Sequence, residues 1–242
     1  MSDVTARARE FVVFDLDGVL VDTQDAENGG IAHVGTLMNL HLTREQQDEL
    51  FSGKKMQECF DLMADLARTA PPRDAMAIAR ARCEELIGER IEPIDGVAYA
   101  LERLAAAVGE RMCVASNSPL GIMRSRLEKA GILRHFGDRL FSAYDAEAWK
   151  PDPKLFLWAA ESCGVTPDEC VVVEDSPVGV DAAVAAGMRV LQYTADPATP
   201  PHRDGVLTFP SMRSLPRLVR DARLTAPVAS PFAAAAHPGG SA

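Results

Sequence analysis

The stretch Phe11-Val-Val-Phe-Asp-Leu-Asp-Gly-Val-Leu-Val-Asp-Thr23 decides the fold of this chain. It starts with a short apolar run of β-branched and aromatic residues, a pattern typical of a buried strand. Asp15 and Asp17 follow two positions apart, and side chains at i and i+2 of a strand share one face. Two crowded carboxylates need a cation or a shared proton, which indicates a site. Asp-Leu-Asp-Gly is also ordinary turn chemistry, and the stretch alone does not separate the two interpretations.

Length and composition describe a globular chain. Its 242 residues suit one large domain, or a core with a smaller insert. The apolar content of 47% and the charged content of 25% are ordinary for such proteins. No apolar run approaches the ~20 residues of a membrane helix, and residues 1–10 are not followed by the apolar segment of a secretion signal.

The net charge disfavours some classes of binding partner, and the cysteine pattern indicates a cellular compartment. The formal net charge of −10 disfavours nucleic acid and an anionic membrane as partners. An anionic substrate therefore requires positive charge supplied locally by the site. The five cysteines are scattered and contain no C-x-x-C pair, which predicts reduced thiols in a cytoplasm. We expect a monomer or a weak homodimer.

Strands and helices alternate along the second half of the chain. Apolar runs predict strands at 112–115, 139–142, 170–173 and 189–193, with a last edge strand at 206–209. Helical patterns lie at 97–107, 121–130, 154–163, 177–186 and 211–219. This alternation predicts an α/β fold with a Rossmann-like parallel sheet and helices on both faces.

A helical insert follows the first strand. Residues 24–92 have a helical pattern, and the segments 54–68 and 73–91 carry apolar stripes close to a 3.6-residue period. Pro71-Pro72 separates the two segments. The pattern predicts a helical insert within an α/β core, placed immediately after the first strand.

The predicted domains follow from this insert. The Rossmann-like core comprises residues 1–23 and 93–224, and the helical insert comprises 24–92. Residues 225–242 are rich in Ala and Pro and carry no charge, which predicts a flexible tail. An alternative is that this tail packs on a neighbour through Phe232.

Polar residues follow three of the predicted strands. These pairs are Asp15 and Asp17, Ser116 and Asn117, and Glu174 and Asp175. Ligands bind outside the carboxyl ends of the strands in such sheets, so the pairs predict a site at one edge. Ser116 and Asn117 have an alternative role as a helix N-cap.

Four segments in order resemble the motifs of the haloacid dehalogenase superfamily. They are Phe14–Thr23, Ser116-Asn117, Lys150-Pro151 and Glu174–Met188. More narrowly, they resemble the β-phosphoglucomutase-like sugar-phosphate phosphatases with a helical cap. The resemblance extends over residues 10–195 and includes all four motifs at ordinary spacing.

The resemblance implies a role for each matched residue. Asp15 is the expected nucleophile, and Asp17 is the expected general acid and base. Ser116, Asn117 and Lys150 are expected to bind phosphate. Without this resemblance, Lys150 would be taken as an ordinary surface lysine.

The resemblance also implies Mg²⁺ as the cofactor. Its expected ligands are the Asp15 carboxylate, the Asp17 backbone carbonyl and Asp175, with Glu174 binding directly or through water. A set of oxygen ligands that retains waters suits Mg²⁺. Lys150 is expected to supply the local positive charge that an anionic substrate requires in a chain with a net negative charge.

The expected activity is hydrolysis of a small phosphorylated metabolite, a sugar phosphate or a sugar-acid phosphate. The side chain of Asp17 favours phosphoryl transfer over dehalogenation, because the dehalogenases of this superfamily lack a second Asp there. One alternative is a phosphosugar mutase, an isomerase. A second alternative is a non-catalytic binding protein on the same scaffold, which a missing catalytic residue would favour, and none is missing.

The predicted cap departs from the mutase pattern. The β-phosphoglucomutases carry a His where this chain has Glu27, and an Arg where it has Met56. Both departures argue against mutase activity. Lys54 and Lys55, together with Glu27, are candidate contacts to the substrate, and the alternative is that both lysines are exposed surface charges.

Overall fold

The computed structural model describes residues 10–51, 54 and 56–221. These residues divide into a core unit, 10–21 with 92–221, and a helical unit, Asp22–Ile91. Lys55 and the tail predicted at 225–242 lie outside the described residues.

The core unit contains a six-stranded parallel sheet. Its strands are β1 (Phe11–Phe14), β2 (Met112–Ser116), β3 (Leu140–Ser142), β4 (Cys170–Glu174), β5 (Arg189–Tyr193) and β6 (Leu207–Phe209). Their order is β3-β2-β1-β4-β5-β6, and every neighbouring pair is parallel. The predicted edge strand is therefore β6, and β1 lies in the interior of the sheet.

The helical unit consists of four helices in the described chain. They are α1 (Gln24–Leu37), α2 (Arg44–Phe51), α3 (Met56–Ala67) and α4 (Ala75–Ile87). The stripe that predicts α3 buries Cys59, Phe60 and Met63. These side chains pack in one apolar cluster with residues of α1 and α4. Their burial is what holds the unit together, because short helices gain little stability from propensity alone.

The core helices are close to their predicted positions. They are α5 (Val97–Val108), α6 (Leu120–Lys129), α7 (Ala143–Ala146), α8 (Lys154–Ser162), α9 (Pro177–Ala185) and α10 (Leu215–Asp221). The short α7 is the one α-helix that the apolar periodicity does not predict. Ser142 caps it by accepting a hydrogen bond from the Tyr144 N–H at 3.1 Å.

Helices cover both faces of the sheet. Phe11 and Val13 of β1 pack in one cluster with residues of α8 and α9. Phe14 points to the opposite face, where its ring meets the edge of Phe136 with the ring centroids 5.8 Å apart. All four β1 side chains are buried, and each contributes about 1.5–3 kcal/mol through removal from water. The predicted fold class is confirmed, and β1 delivers Asp15 to the edge of the sheet.

Within the described ranges, no helix combines the length and the apolar character that crossing a bilayer requires.

Candidate active site

The carboxyl ends of β1, β2 and β4 meet at one edge of the sheet. β1 lies between the other two strands, and the Asp15 N–H donates to the Val173 carbonyl at 3.0 Å. This bond extends the β1–β4 ladder by one residue and fixes the position at which Asp15 leaves the sheet. Parallel strands end at a common edge, so the side chains that follow β2 and β4 lie nearby.

One group of charged side chains at this edge is called the Lys150 cluster, and it consists of Asp15, Lys150, Glu174 and Asp175. The Lys150 ammonium is buried and donates to Asp15 Oδ1 and to Glu174 Oε1, both at 2.5 Å. It also lies 5.0 Å from the centroid of the Phe156 ring. A buried ammonium requires such partners, because an unpaired charge in the interior is strongly unfavourable.

Glu174 is the fully buried anchor of this cluster. Its second oxygen, Oε2, accepts from the Asp175 N–H, the Ser176 N–H and the Ser176 hydroxyl, each at 3.0 Å. Gly179 packs directly on the Glu174 carboxyl group, because a Cβ at position 179 would overlap it. Glu174 therefore joins Lys150 to the first turn of α9.

Asp175 contrasts with its neighbour. Its Oδ1 atom is buried without a hydrogen-bond partner among the described residues. Gly18 has a φ of +82° and leaves room for this carboxylate, which a Cβ at position 18 would overlap. Burial raises the pKa of Asp175 well above its usual range, and the charges of Glu174 and Asp15 add to this effect.

The three carboxylates form a candidate metal centre. Asp15, Glu174 and Asp175 each offer an oxygen, and these oxygens lie within 4.8 Å of one another. Burial raises the pKa of Asp15 to about 7, with Glu174 and Asp17 adding to the rise and Lys150 opposing it. Burial would lower the pKa of Lys150, but Asp15 and Glu174 outweigh it and raise that pKa. A hard divalent cation fits this set, because the donors are all oxygens and one of them lacks a partner.

A second group is called the Arg126 cluster and consists of Asp17, Ser118 and Arg126. Arg126 Nη1 donates to Asp17 Oδ1, and the Ser118 hydroxyl donates to Asp17 Oδ2 at 3.0 Å. Arg126 is on α6, and its side chain is only 6% exposed. Asp15 and Asp17 therefore have different cationic partners although they are two positions apart.

Ser116 and Asn117 lie at the end of β2, as the sequence predicts. The buried Ser116 hydroxyl accepts the Ser118 N–H at 3.1 Å. Asn117 Oδ1 accepts the Lys150 backbone N–H at 2.9 Å, so its amide group holds the Lys150 segment. The capping alternative is not observed, because α6 has Pro119 at its N-cap and, in this described helix, no side-chain cap bond.

Two of the three predicted cap contacts fall within the described part of the helical unit. Glu27 is on α1, where its Oε1 accepts from the Thr23 hydroxyl at 3.2 Å. Lys54 is exposed between α2 and α3. Lys55 is outside the described residues, and a role in substrate binding stays a prediction for all three.

Sequence reasoning missed Arg126, Ser118 and the two glycines that receive the acidic side chains, Gly18 and Gly179. A signal for Arg126 is present in the chain. It is placed three residues after Met123 and directly before Leu127, on the apolar stripe of α6. An arginine at a stripe position indicates a buried cation with a partner.

The parallel sheet with charged side chains at its carboxyl edge is typical of a class of hydrolases. Comparison with known proteins identifies the family. The sequence model of the family described as haloacid dehalogenase-like hydrolase matches residues 10–187 of this chain. The chain belongs to this family and is an enzyme of this hydrolase class, which confirms the resemblance in the four motifs.

Individual relatives agree with this membership. The chain is 33% identical over 211 residues to the 6-phosphogluconate phosphatase of Escherichia coli (strain K12), covering 86% of this chain and 94% of the relative. A haloacid dehalogenase-like protein of unknown function from Agrobacterium tumefaciens is 30% identical, with a TM-score of 0.74 and coverage of 88% and 98%. A hydrolase of the same family from Deinococcus radiodurans, solved with bound phosphate and sodium, is 26% identical, with a TM-score of 0.69 and coverage of 91% and 99%.

Proposed function

We propose that this protein is a Mg²⁺-dependent phosphatase that hydrolyses a small phosphorylated metabolite through an aspartyl-phosphate intermediate. The single observation that carries the proposal is the Lys150 cluster. It combines a carboxylate at the end of β1 with one buried ammonium and an Asp175 oxygen that has no partner in the described chain. These are the parts that phosphoryl transfer to a carboxylate requires.

The first step transfers the phosphoryl group to Asp15. An oxygen of the Asp15 carboxylate forms a bond to phosphorus, and the bond from phosphorus to the ester oxygen breaks. Asp17 donates a proton to that leaving oxygen, which then departs as a neutral alcohol. Lys150 and the Ser116 hydroxyl would contact the phosphoryl oxygens, and Asn117 would keep Lys150 in place by accepting its backbone N–H.

The second step releases phosphate. Asp17, now ionised, takes a proton from water, and the water oxygen attacks the phosphorus of the aspartyl-phosphate. The bond from phosphorus to the Asp15 oxygen breaks, which regenerates the carboxylate and yields inorganic phosphate. One residue serves as acid and then as base, so each turnover returns Asp17 to its starting form.

The Lys150 cluster is the proposed metal site. Asp15 and Asp175 would offer carboxylate oxygens, together with the Asp17 backbone carbonyl, and Glu174 would bind through water because Lys150 and the start of α9 engage its oxygens. When bound, Mg²⁺ supplies positive charge that offsets the repulsion between an anionic nucleophile and a phosphate ester.

The proposed substrate is a sugar phosphate or a sugar-acid phosphate. Support comes from the relative named 6-phosphogluconate phosphatase, which aligns over most of both chains. We also propose that residues 24–92 act as a cap that selects the substrate, with Lys54, Lys55 and Glu27 as candidate contacts. Free thiols at all five cysteines support a cytoplasmic location, and we further propose a monomer or a weak homodimer.

The test is phosphate release from a panel of sugar phosphates and sugar-acid phosphates, with Mg²⁺ and with EDTA. We expect Mg²⁺-dependent release and, after an acid quench during turnover, a peptide containing Asp15 that is heavier by one phosphoryl group. Equal release in EDTA would disprove the Mg²⁺ dependence. An isomeric sugar phosphate without free phosphate would favour the mutase, and no reaction with any ester would favour the binding protein.

A further inference from the structure

The α6 helix buries an arginine on its core-facing side. Arg126 shares that side with Met123 and Leu127, both fully buried. An apolar side chain would satisfy packing at such a position, whereas burial of a guanidinium is unfavourable unless it is paired. The position therefore calls for an explanation beyond the packing of α6.

The partner of this arginine is the proposed acid and base of the reaction. Arg126 donates to one oxygen of Asp17, and the Ser118 hydroxyl donates to the other at 3.0 Å. Ser118 is itself fixed, because its carbonyl accepts the Ser142 hydroxyl at 2.8 Å and its N–H donates to Ser116 Oγ at 3.1 Å. The Asp17 carboxylate is thus held at both oxygens by donors from two different elements.

We infer that Arg126 is a positioning residue that, together with Ser118, sets the orientation of the Asp17 carboxylate for proton transfer to the leaving group. The inference rests on the proposed phosphatase function. A carboxylate has about four lone-pair sites, so two hydrogen bonds can fix its plane while it still carries a proton. Rotation of the Asp17 side chain would break both bonds together, so the pair acts as a two-point restraint.

If Arg126 orients Asp17, replacing Arg126 should lower kcat/KM by a factor that depends on the leaving group of the ester. An alkyl phosphate needs a proton on its leaving oxygen, whereas p-nitrophenolate leaves without one. The ratio kcat/KM reports the steps up to ester cleavage, which isolates this proton transfer from phosphate release. For Arg126→Met we expect kcat/KM on the alkyl ester to fall on the order of 100-fold, since a small misplacement of a catalytic group has effects of that size.

The matched comparison is Arg126→Met acting on p-nitrophenyl phosphate. For this ester we expect kcat/KM to change by less than about threefold, because its leaving group needs no proton. Arg124→Met is the control variant. Arg124 is on the same helix, its side chain is 40% exposed, and it pairs with Asp138 on the surface. This control should behave as the wild type on both esters.

A double variant tests whether Arg126 acts through Asp17. In an Asp17→Asn background, Arg126→Met should cause no further loss on either ester, because the group that it positions no longer transfers a proton. The inference would be overturned if the losses of kcat/KM from the two single substitutions multiplied in the double variant. Equal losses on both esters for Arg126→Met alone would also overturn it.

Ser118→Ala is the second, milder variant, and it removes the hydrogen bond to the other Asp17 oxygen without unpairing a buried charge. It should show the same selective loss to a smaller degree, of about 3- to 10-fold. If Arg126→Met fails to fold, this variant decides, and a loss equal on both esters overturns the inference. If the wild type with Mg²⁺ releases phosphate from neither ester, the proposed function itself falls, an outcome distinct from active enzyme without selectivity.

Discussion

Asp15 and Asp17 leave the same strand two positions apart, yet the Lys150 cluster and the Arg126 cluster around them differ in charge balance. Three carboxylates face one ammonium in the Lys150 cluster, whereas one carboxylate faces one guanidinium in the Arg126 cluster. By formal charge, the first has an excess of two negative charges (three minus one) and the second has none. This difference in formal charge favours the Lys150 cluster as the proposed site of a divalent cation.

The difference supports the separate roles that we propose for these two identical side chains. Burial raises the pKa of Asp15 to about 7, with the charges of Glu174 and Asp17 adding to the rise, and this environment suits a carboxylate that shares a cation. Asp17 accepts hydrogen bonds at both oxygens, from the neutral Ser118 hydroxyl and from the cationic Arg126. The resulting fixed orientation suits a group that transfers a proton to one acceptor. Environment, and not residue type, separates such pairs of carboxylates into different roles.

The largest expected effect comes from replacing the two aspartates one at a time. Asp15→Asn removes the nucleophile, and kcat should fall at least about 10⁴-fold on every ester. Asp17→Asn should lower kcat/KM about 10²- to 10⁴-fold on alkyl phosphates and much less on p-nitrophenyl phosphate. Steady-state phosphate release measures both, and equal profiles for the two variants would show that the clusters do not differ in role.

The next effect concerns stability. Lys150→Met leaves the carboxylates of the Lys150 cluster without their cation, so the free energy of unfolding in EDTA should fall by about 3–5 kcal/mol. The matched control is Lys154→Met, whose side chain is 76% exposed, and the change there should stay within about 0.5 kcal/mol. Urea unfolding measures both variants. A Lys150 variant as stable as this control would contradict the cluster's dependence on its one ammonium.

Within the Lys150 cluster, we expect Glu174 and Asp175 to differ in their effects on metal binding and on stability. Excess Mg²⁺ at 100 times its dissociation constant should stabilise the wild type by about 2.7 kcal/mol, and Asp175→Asn should lose most of that gain. In EDTA the same variant should be at least as stable as the wild type, because it removes a buried carboxylate oxygen that lacks a partner in the described chain.

Glu174→Gln is the contrasting variant for this prediction. Glu174 accepts from Lys150 and from Asp175 and Ser176, which directly precede α9, so its replacement should lower the free energy of unfolding in EDTA by about 1–3 kcal/mol. Thermal unfolding with and without Mg²⁺ measures both variants. Matching behaviour of the two would mean that the adjacent carboxylates are equivalent.

The sequence was sufficient for the sheet and for the residues that gather at its edge. Strand runs such as Phe11–Phe14 are local signals, and parallel strands bring their carboxyl ends together whatever the details of packing. Asp15, Lys150, Glu174 and Asp175 therefore meet where the motifs predict, while their roles stay predictions.

The apolar stripe of α6 indicates that Arg126 is buried, but no local pattern identifies Asp17 as its partner. Arg124 and Arg126 lie two positions apart on α6, yet one pairs with Asp138 on the surface and the other is buried against Asp17. Their different positions relative to the apolar stripe of α6 separate them, whereas the contact between Arg126 and Asp17 joins segments far apart in sequence. Asn117 is similar, because its contact to the Lys150 N–H joins segments far apart in sequence.

The smallest expected effect is the pH dependence of the metal-free protein. The pKa of Asp15 is about 7 in the folded state against a usual value of 3.8, so between these values the folded state holds a proton that the unfolded state has released. Stability therefore falls as pH rises through this window, on the order of 1 kcal/mol between pH 6 and 7, and levels off above the folded pKa. The measurement is the free energy of unfolding of the wild type minus that of Asp15→Asn in EDTA, which cancels the titrations of groups that do not interact with Asp15. Excess Mg²⁺ should reverse the slope, because the cation binds the ionised carboxylate, and a slope unaffected by Mg²⁺ would place the metal away from the Lys150 cluster.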